Sequence, residues 1–110
     1  MTGKKVFINK TNKDIRIVLF IREGSTPNLQ AGIQRITLVP GEKRVVEYGN
    51  RRNIYLNGLQ IRALKDKKVL SRELYVDIRG DFIDDLLNQN RYINVIANNN
   101  KFDIHGFNKK

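Results

Sequence analysis

There is no cysteine anywhere in the chain. Disulfides are therefore excluded, and so are zinc sites built on thiolates. The absence leans towards a reducing, cytoplasmic setting. Histidine is nearly missing as well, with His105 alone, and serine is limited to Ser25 and Ser71. Nucleophilic catalysis needs a base within reach of a hydroxyl or thiol, and this inventory offers only Asp103 and His105. Two residues apart on a strand, they would share a face. A histidine near the C-terminus also reads simply as a surface residue. Long apolar runs are missing too. The longest, Ile17 to Ile21, has five residues, against the ~20 a membrane helix needs. Val6-Phe7-Ile8 near the N-terminus is too short for a signal-peptide core. The expectation is a soluble chain with no membrane span.

Other signatures fail on spacing. The eight glycines form neither a Walker pattern nor a dinucleotide fingerprint. Asp77, Asp81, Asp84 and Asp85 cluster, but not with the intervals of an EF-hand loop, and helix capping accounts for most of them. Asn9-Lys10-Thr11 is a formal glycosylation sequon. No catalytic residue, cofactor or metal site is expected.

What is present in excess is positive charge. The chain carries 21 Lys and Arg against 11 Asp and Glu, a net +10 over 110 residues. Residues 1–72 hold 16 basic and five acidic residues, hence +11, while residues 73–110 hold five and six, hence −1. Such an excess speeds encounter with polyanions, although charge also serves solubility.

Alternation with period two, the mark of a half-buried strand, runs through the chain. It is clearest at Ile15, Ile17, Leu19 and Ile21, with Arg16, Val18, Phe20 and Arg22 on the opposite face. Strands are expected over 5–9, 14–23, 35–39, 43–48, 54–64, 69–79, 91–97 and 101–107. Pro40-Gly41 demands a turn with positive φ at Gly41. Asn57-Gly58 reads either as a hairpin turn or as a bulge in one longer strand, and positive φ is expected at Gly58. Phe82, Ile83, Leu86 and Leu87 fall at helical spacing. They predict one short helix over residues 81–90, with Asp81 as cap and Asp84 and Asp85 at its positive end. Turn signals every eight to twelve residues or so suggest a single antiparallel β-sandwich with Greek-key connections over residues 1–110. Ile36-Thr37-Leu38-Val39-Pro40-Gly41-Glu42 is similar to a strand entering an edge turn in immunoglobulin-like sandwiches. The expected core is Ile15, Ile17, Leu19, Ile21, Ile36, Leu38, Leu56, Ile61, Val76, Ile78, Leu86 and Val95.

Two surfaces invite function. Arg16, Val18, Phe20 and Arg22 would form an apolar, arginine-flanked face of the kind enriched at protein interfaces, unless the helix or a loop covers it. Lys43, Arg44, Arg51, Arg52, Lys65, Lys67 and Lys68 sit at strand ends and turns, with Lys4, Lys5, Lys10 and Lys13 near an N-terminal hairpin. Gathered on one side, they would grip a polyanion; scattered, they are solvated turn residues. The leading expectation is a non-enzymatic interaction module that engages a protein, or a second copy of itself, through an edge strand or end loops. The alternative is a nucleic-acid or acidic-glycan binder with little sequence specificity.

Overall fold

In the computed structural model, residues 3–22, 30–49, 55–63, 71–76, 82–98 and 101–107 are described. These residues form eight strands and one helix: β1 (Gly3–Asn9), β2 (Ile15–Arg22), β3 (Gln30–Leu38), β4 (Lys43–Tyr48), β5 (Leu56–Ala63), β6 (Ser71–Tyr75), α1 (Phe82–Asn88), β7 (Tyr92–Asn98) and β8 (Lys101–Phe107). Each strand falls within or beside an expected one. β3 is the main departure, beginning at Gln30, five residues before the strand expected over 35–39.

The strands make two four-stranded sheets. Sheet A has the order β4-β1-β7-β8 and sheet B the order β3-β2-β5-β6. Sheet B is antiparallel throughout. Sheet A is not: β1 and β7 run parallel, which corrects the expectation of purely antiparallel pairing. Nor do β1 and β2 form a hairpin, because the chain leaves sheet A at Asn9 and enters sheet B at Ile15. Asn9 makes that crossing rigid. It is fully buried, its Oδ1 accepts from the Thr11 amide (2.9 Å) and hydroxyl (2.7 Å), and its Nδ2 donates to the carbonyls of Lys13 (2.8 Å) and Leu38 (3.1 Å). The sequon at Asn9 is thus internal framework, with no room for a glycan.

One apolar core joins the sheets. Phe7, Val46, Tyr48, Ile93, Val95 and Phe102 from sheet A meet Ile15, Ile17, Leu19, Leu38, Leu56, Leu59 and Ile61 from sheet B. Ten of the twelve expected core residues are buried. Leu86 is partly buried against the core, and Ile78 lies outside the described residues. Between the sheets Val39-Pro40-Gly41-Glu42 forms the expected turn, closed by Glu42 N–H to Val39 O at 3.0 Å, with Gly41 at φ +80°.

Gly58 departs from expectation. It lies within β5 without positive φ, so Asn57-Gly58 is no hairpin. Phe20 opposes Gly58 while Ile21 opposes Leu56, which leaves Asn57 as the extra residue of a bulge. β3 bulges at the same level: Ile21 opposes Gly32 and Arg22 opposes Gln30. Both neighbours of β2 therefore gain a residue beside its last turnout, and Gly32 takes φ +153° there.

Helix α1 packs on the bulge. Asp84, Leu87 and Asn88 share one face by their i, i+3, i+4 spacing. Leu87 enters the core. The Asn88 carboxamide accepts from Leu56 N–H (2.7 Å) and donates to Leu56 O (2.9 Å), completing a rung that the bulge interrupts.

Candidate functional site

The outward face of sheet B is a lattice of side chains that register makes explicit. One row runs Thr37, Arg16, Arg62, Ser71; the next Arg35, Val18, Gln60, Glu73; the next Ile33, Phe20, Gly58, Tyr75. Arg16, Val18, Phe20, Ile33, Arg35, Gln60 and Arg62 line a shallow concavity of about 250 Å³. No described element packs over it: Ile33 is 42% and Tyr75 50% exposed, while Val18 and Phe20 are half-buried. Helix α1 sits at the bulged end and does not cover the Phe20 face.

The aromatic row is continuous. Gly58 has no side chain, and the Tyr75 ring crosses it to approach Phe20, with ring centroids 5.4 Å apart and tilted at 44°. The Tyr75 hydroxyl donates to Glu73 at 3.1 Å. Burial, and then the Glu73 carboxylate, push the Tyr75 phenol above its ordinary pKa, so it remains a neutral donor. Glu73 also accepts from Gln60 Nε2 at 2.7 Å.

The cationic row is unusual. Arg16 stands directly opposite Arg62 across β2 and β5, and Arg35 occupies the adjoining row. All three are exposed. Among the described residues, none of the three guanidiniums takes part in a hydrogen bond or ion pair. Like charges directly opposite on a sheet are destabilising, so the fold alone gains nothing from this arrangement.

Arg22 is not on this face. The double bulge turns it inward to 2% exposure. Its Nη2 donates to Asp84 Oδ1 (2.7 Å) and Leu56 O (3.1 Å), its Nε to Asn57 Oδ1 (3.0 Å), and its guanidinium lies 5.6 Å from the Tyr55 ring centroid. Asp84 correspondingly serves as counterion to Arg22, beyond any role in the helix dipole.

Of the seven turn cations, Lys43 and Arg44 are among the described residues, both on β4 of sheet A. Lys43 lies on the opposite side of the molecule, 5.8 Å from the Tyr92 ring centroid, where Tyr92 stacks on Phe107 at 5.1 Å. Its neighbour Arg44 pairs with Glu42. Lys5, expected among solvated lysines, is 4% exposed and donates to the Asn90 carbonyl; burial lowers its pKa from 10.5 to about 8. Arg51, Arg52, Lys65, Lys67 and Lys68 lie outside the described residues. His105 is exposed on β8, opposite Asn94. Among the described residues no three His, Asp or Glu side chains gather as a metal site, and no helix is long and apolar enough to cross a membrane.

Arg16, Val18 and Phe20, grouped on one face by the sequence, do share the outward face of sheet B, and register adds Arg35, Arg62, Ile33 and Tyr75, which the sequence alone did not bring together. A signal existed: in each of three expected strands an arginine occupies the parity opposite the core residues. No family model matches the chain, and no curated protein or solved structure shows similarity to it.

Proposed function

We propose that the protein is a non-enzymatic binding module that presents the outward face of sheet B to an anionic partner. The framework in this reading is a β-sandwich, and the cysteine-free composition favours a cytoplasmic setting. The observation that carries the reading is the gathering of Arg16, Arg35 and Arg62 around Val18, Phe20 and Ile33, with no acidic partner among the described residues. Their forks bind carboxylate or phosphate bidentately, and a bound anion would relieve the Arg16–Arg62 opposition. The working surface is then a sheet face rather than an edge strand or loop cluster. The net charge of +10 adds a long-range attraction for polyanions.

A second reading draws on the exposure of Ile33 and Tyr75. Aromatic residues and arginine are enriched at protein interfaces, so an acidic protein surface centred on Phe20 is the competing partner.

Charge reversal tests the site. Arg16→Glu with Arg62→Glu should sharply lower the salt needed to elute the protein from an immobilised polyanion. Lys43→Glu with Lys101→Glu, two charge reversals placed on sheet A, should lower it much less. Equal losses from both pairs would mean that net charge, and not this face, governs binding.

A further inference from the structure

We infer that the anionic partner of this face is single-stranded nucleic acid. The inference rests on the reading of the face as an anion-binding surface and adds its occupant. A nucleotide carries one flat aromatic face and, a sugar away, one anion. The sheet offers the same pair of features in successive rows. Phe20 and Tyr75 spread across β2, β5 and β6 with side-chain-free Gly58 between them, and bases of any sequence stack on such rings. Rows repeat every two residues, ~7 Å along a strand. Arg35 occupies the row next to the aromatic one, and Arg16 and Arg62 the row beyond.

Other anions use only part of this. A duplex keeps its base faces inside the stack and offers phosphates alone. A sulfated glycan has no aromatic group. An acidic peptide matches the arginines but brings no regular series of flat rings. The three cations that the described residues place on the face are arginines, whose planar fork holds a phosphate by two hydrogen bonds and also stacks on aromatic faces. Among the described residues nothing on the face resembles a base-reading helix or ribbon, so little sequence preference follows.

The test is fluorescence anisotropy of the full chain with a short labelled oligothymidylate and oligouridylate, the duplex of the same length, a heparin fragment and a polyglutamate peptide. Single strands of either sugar should bind about ten-fold or more tighter than duplex at equal salt. With three phosphates engaged, the log–log salt slope should be about −2. Phe20→Leu, which keeps apolar volume and removes the ring, should weaken single-strand binding about ten-fold and leave duplex binding unchanged. Tyr75→Leu, at a half-exposed position, should act alike, and thermal unfolding of each variant separates a lost ring from a lost fold. Arg16→Gln with Arg62→Gln should bring the slope to about −1 or shallower. Equal binding of duplex and single strand, both lost with the arginines, overturns this inference while the anionic face stands. Tighter binding of polyglutamate than of any nucleic acid likewise overturns it, in favour of an acidic protein. Probes that bind regardless of Arg16 and Arg62 overturn the inference and the proposed function together.

Discussion

Two buried charges show how differently the same burial acts on a paired and an unpaired group. Arg22 has Asp84, Asn57 and a backbone carbonyl around it. Removing the anion leaves a guanidinium in a dry site, and breaking such a pair costs about 3–5 kcal/mol. Asp84→Asn should therefore lower the urea unfolding free energy by that order, with circular dichroism as the readout. Lys5 donates to a carbonyl, with no anion bonded to it among the described residues, and its pKa falls to about 8. Below pH 8 both folded and unfolded chains hold the proton, and the fold bears the cost of burying the charge. Between about 8 and 10 the folded state has released it while the unfolded chain, with its value of 10.5, still binds it. Stability should rise with pH across that window. Above it the trend reverses, because burial raises the Tyr48 phenol and the unfolded chain then ionises first. Lys5→Met should remove the rise between pH 8 and 10, measured by urea titration at each pH.

At the scale of elements, the strand map was legible because β-branched and apolar residues alternate cleanly, as Ile15, Ile17, Leu19 and Ile21 do in β2. Which sheet a strand joins was not. The short link from Asn9 to Ile15 reads as a hairpin, and alternation is silent about whether a chain turns back or crosses over. The inward turn of Arg22 was hidden for a related reason. Parity along β2 places it beside Phe20, and only the extra residues in both neighbours undo that. Arg35 and Arg62 had the right parity but needed register to become neighbours of Arg16. Gly58 shows the same limit: its dipeptide suggests a turn, whereas the structure uses it for close approach. A methyl group there would press on the Leu74 carbonyl oxygen and the Tyr75 ring, whose nearest atom would stand 2.9 Å from the methyl carbon. Gly58→Ala should destabilise the protein by about 1–3 kcal/mol, as overpacking does, despite its unremarkable φ. Thermal unfolding would register it, and a neutral result would mean that β6 shifts freely.

For the whole molecule the dominant electrostatic fact is its net +10. Charge of one sign repels itself most in the compact state, and salt shortens the reach of that repulsion from ~30 Å at 0.01 M to ~10 Å at 0.1 M. The Arg22–Asp84 pair is buried and is screened far less. The urea midpoint should therefore climb as sodium chloride is added, saturating once the screening length falls below the spacing of the surface cations. A midpoint that falls with salt would show that exposed ion pairs outweigh the repulsion. The same screening weakens any polyanion complex, so stability and affinity should move in opposite directions with salt.

The rung that Asn88 supplies at Leu56 gives α1 a molecular clock. The Leu56 amide proton is held by a side chain from residue 88 at 2.7 Å, not by a neighbouring strand. Its exchange with deuterated solvent is gated by departure of the helix, whereas the amides of β2 paired between β3 and β5 wait for sheet B itself to open. Local openings of this kind span a wide range of free energies within one protein. Leu56 should exchange faster than the central amides of β2, and Asn88→Ala should quicken it further while leaving theirs unchanged. One nuclear magnetic resonance cross-peak would thus time how often the short helix lifts away.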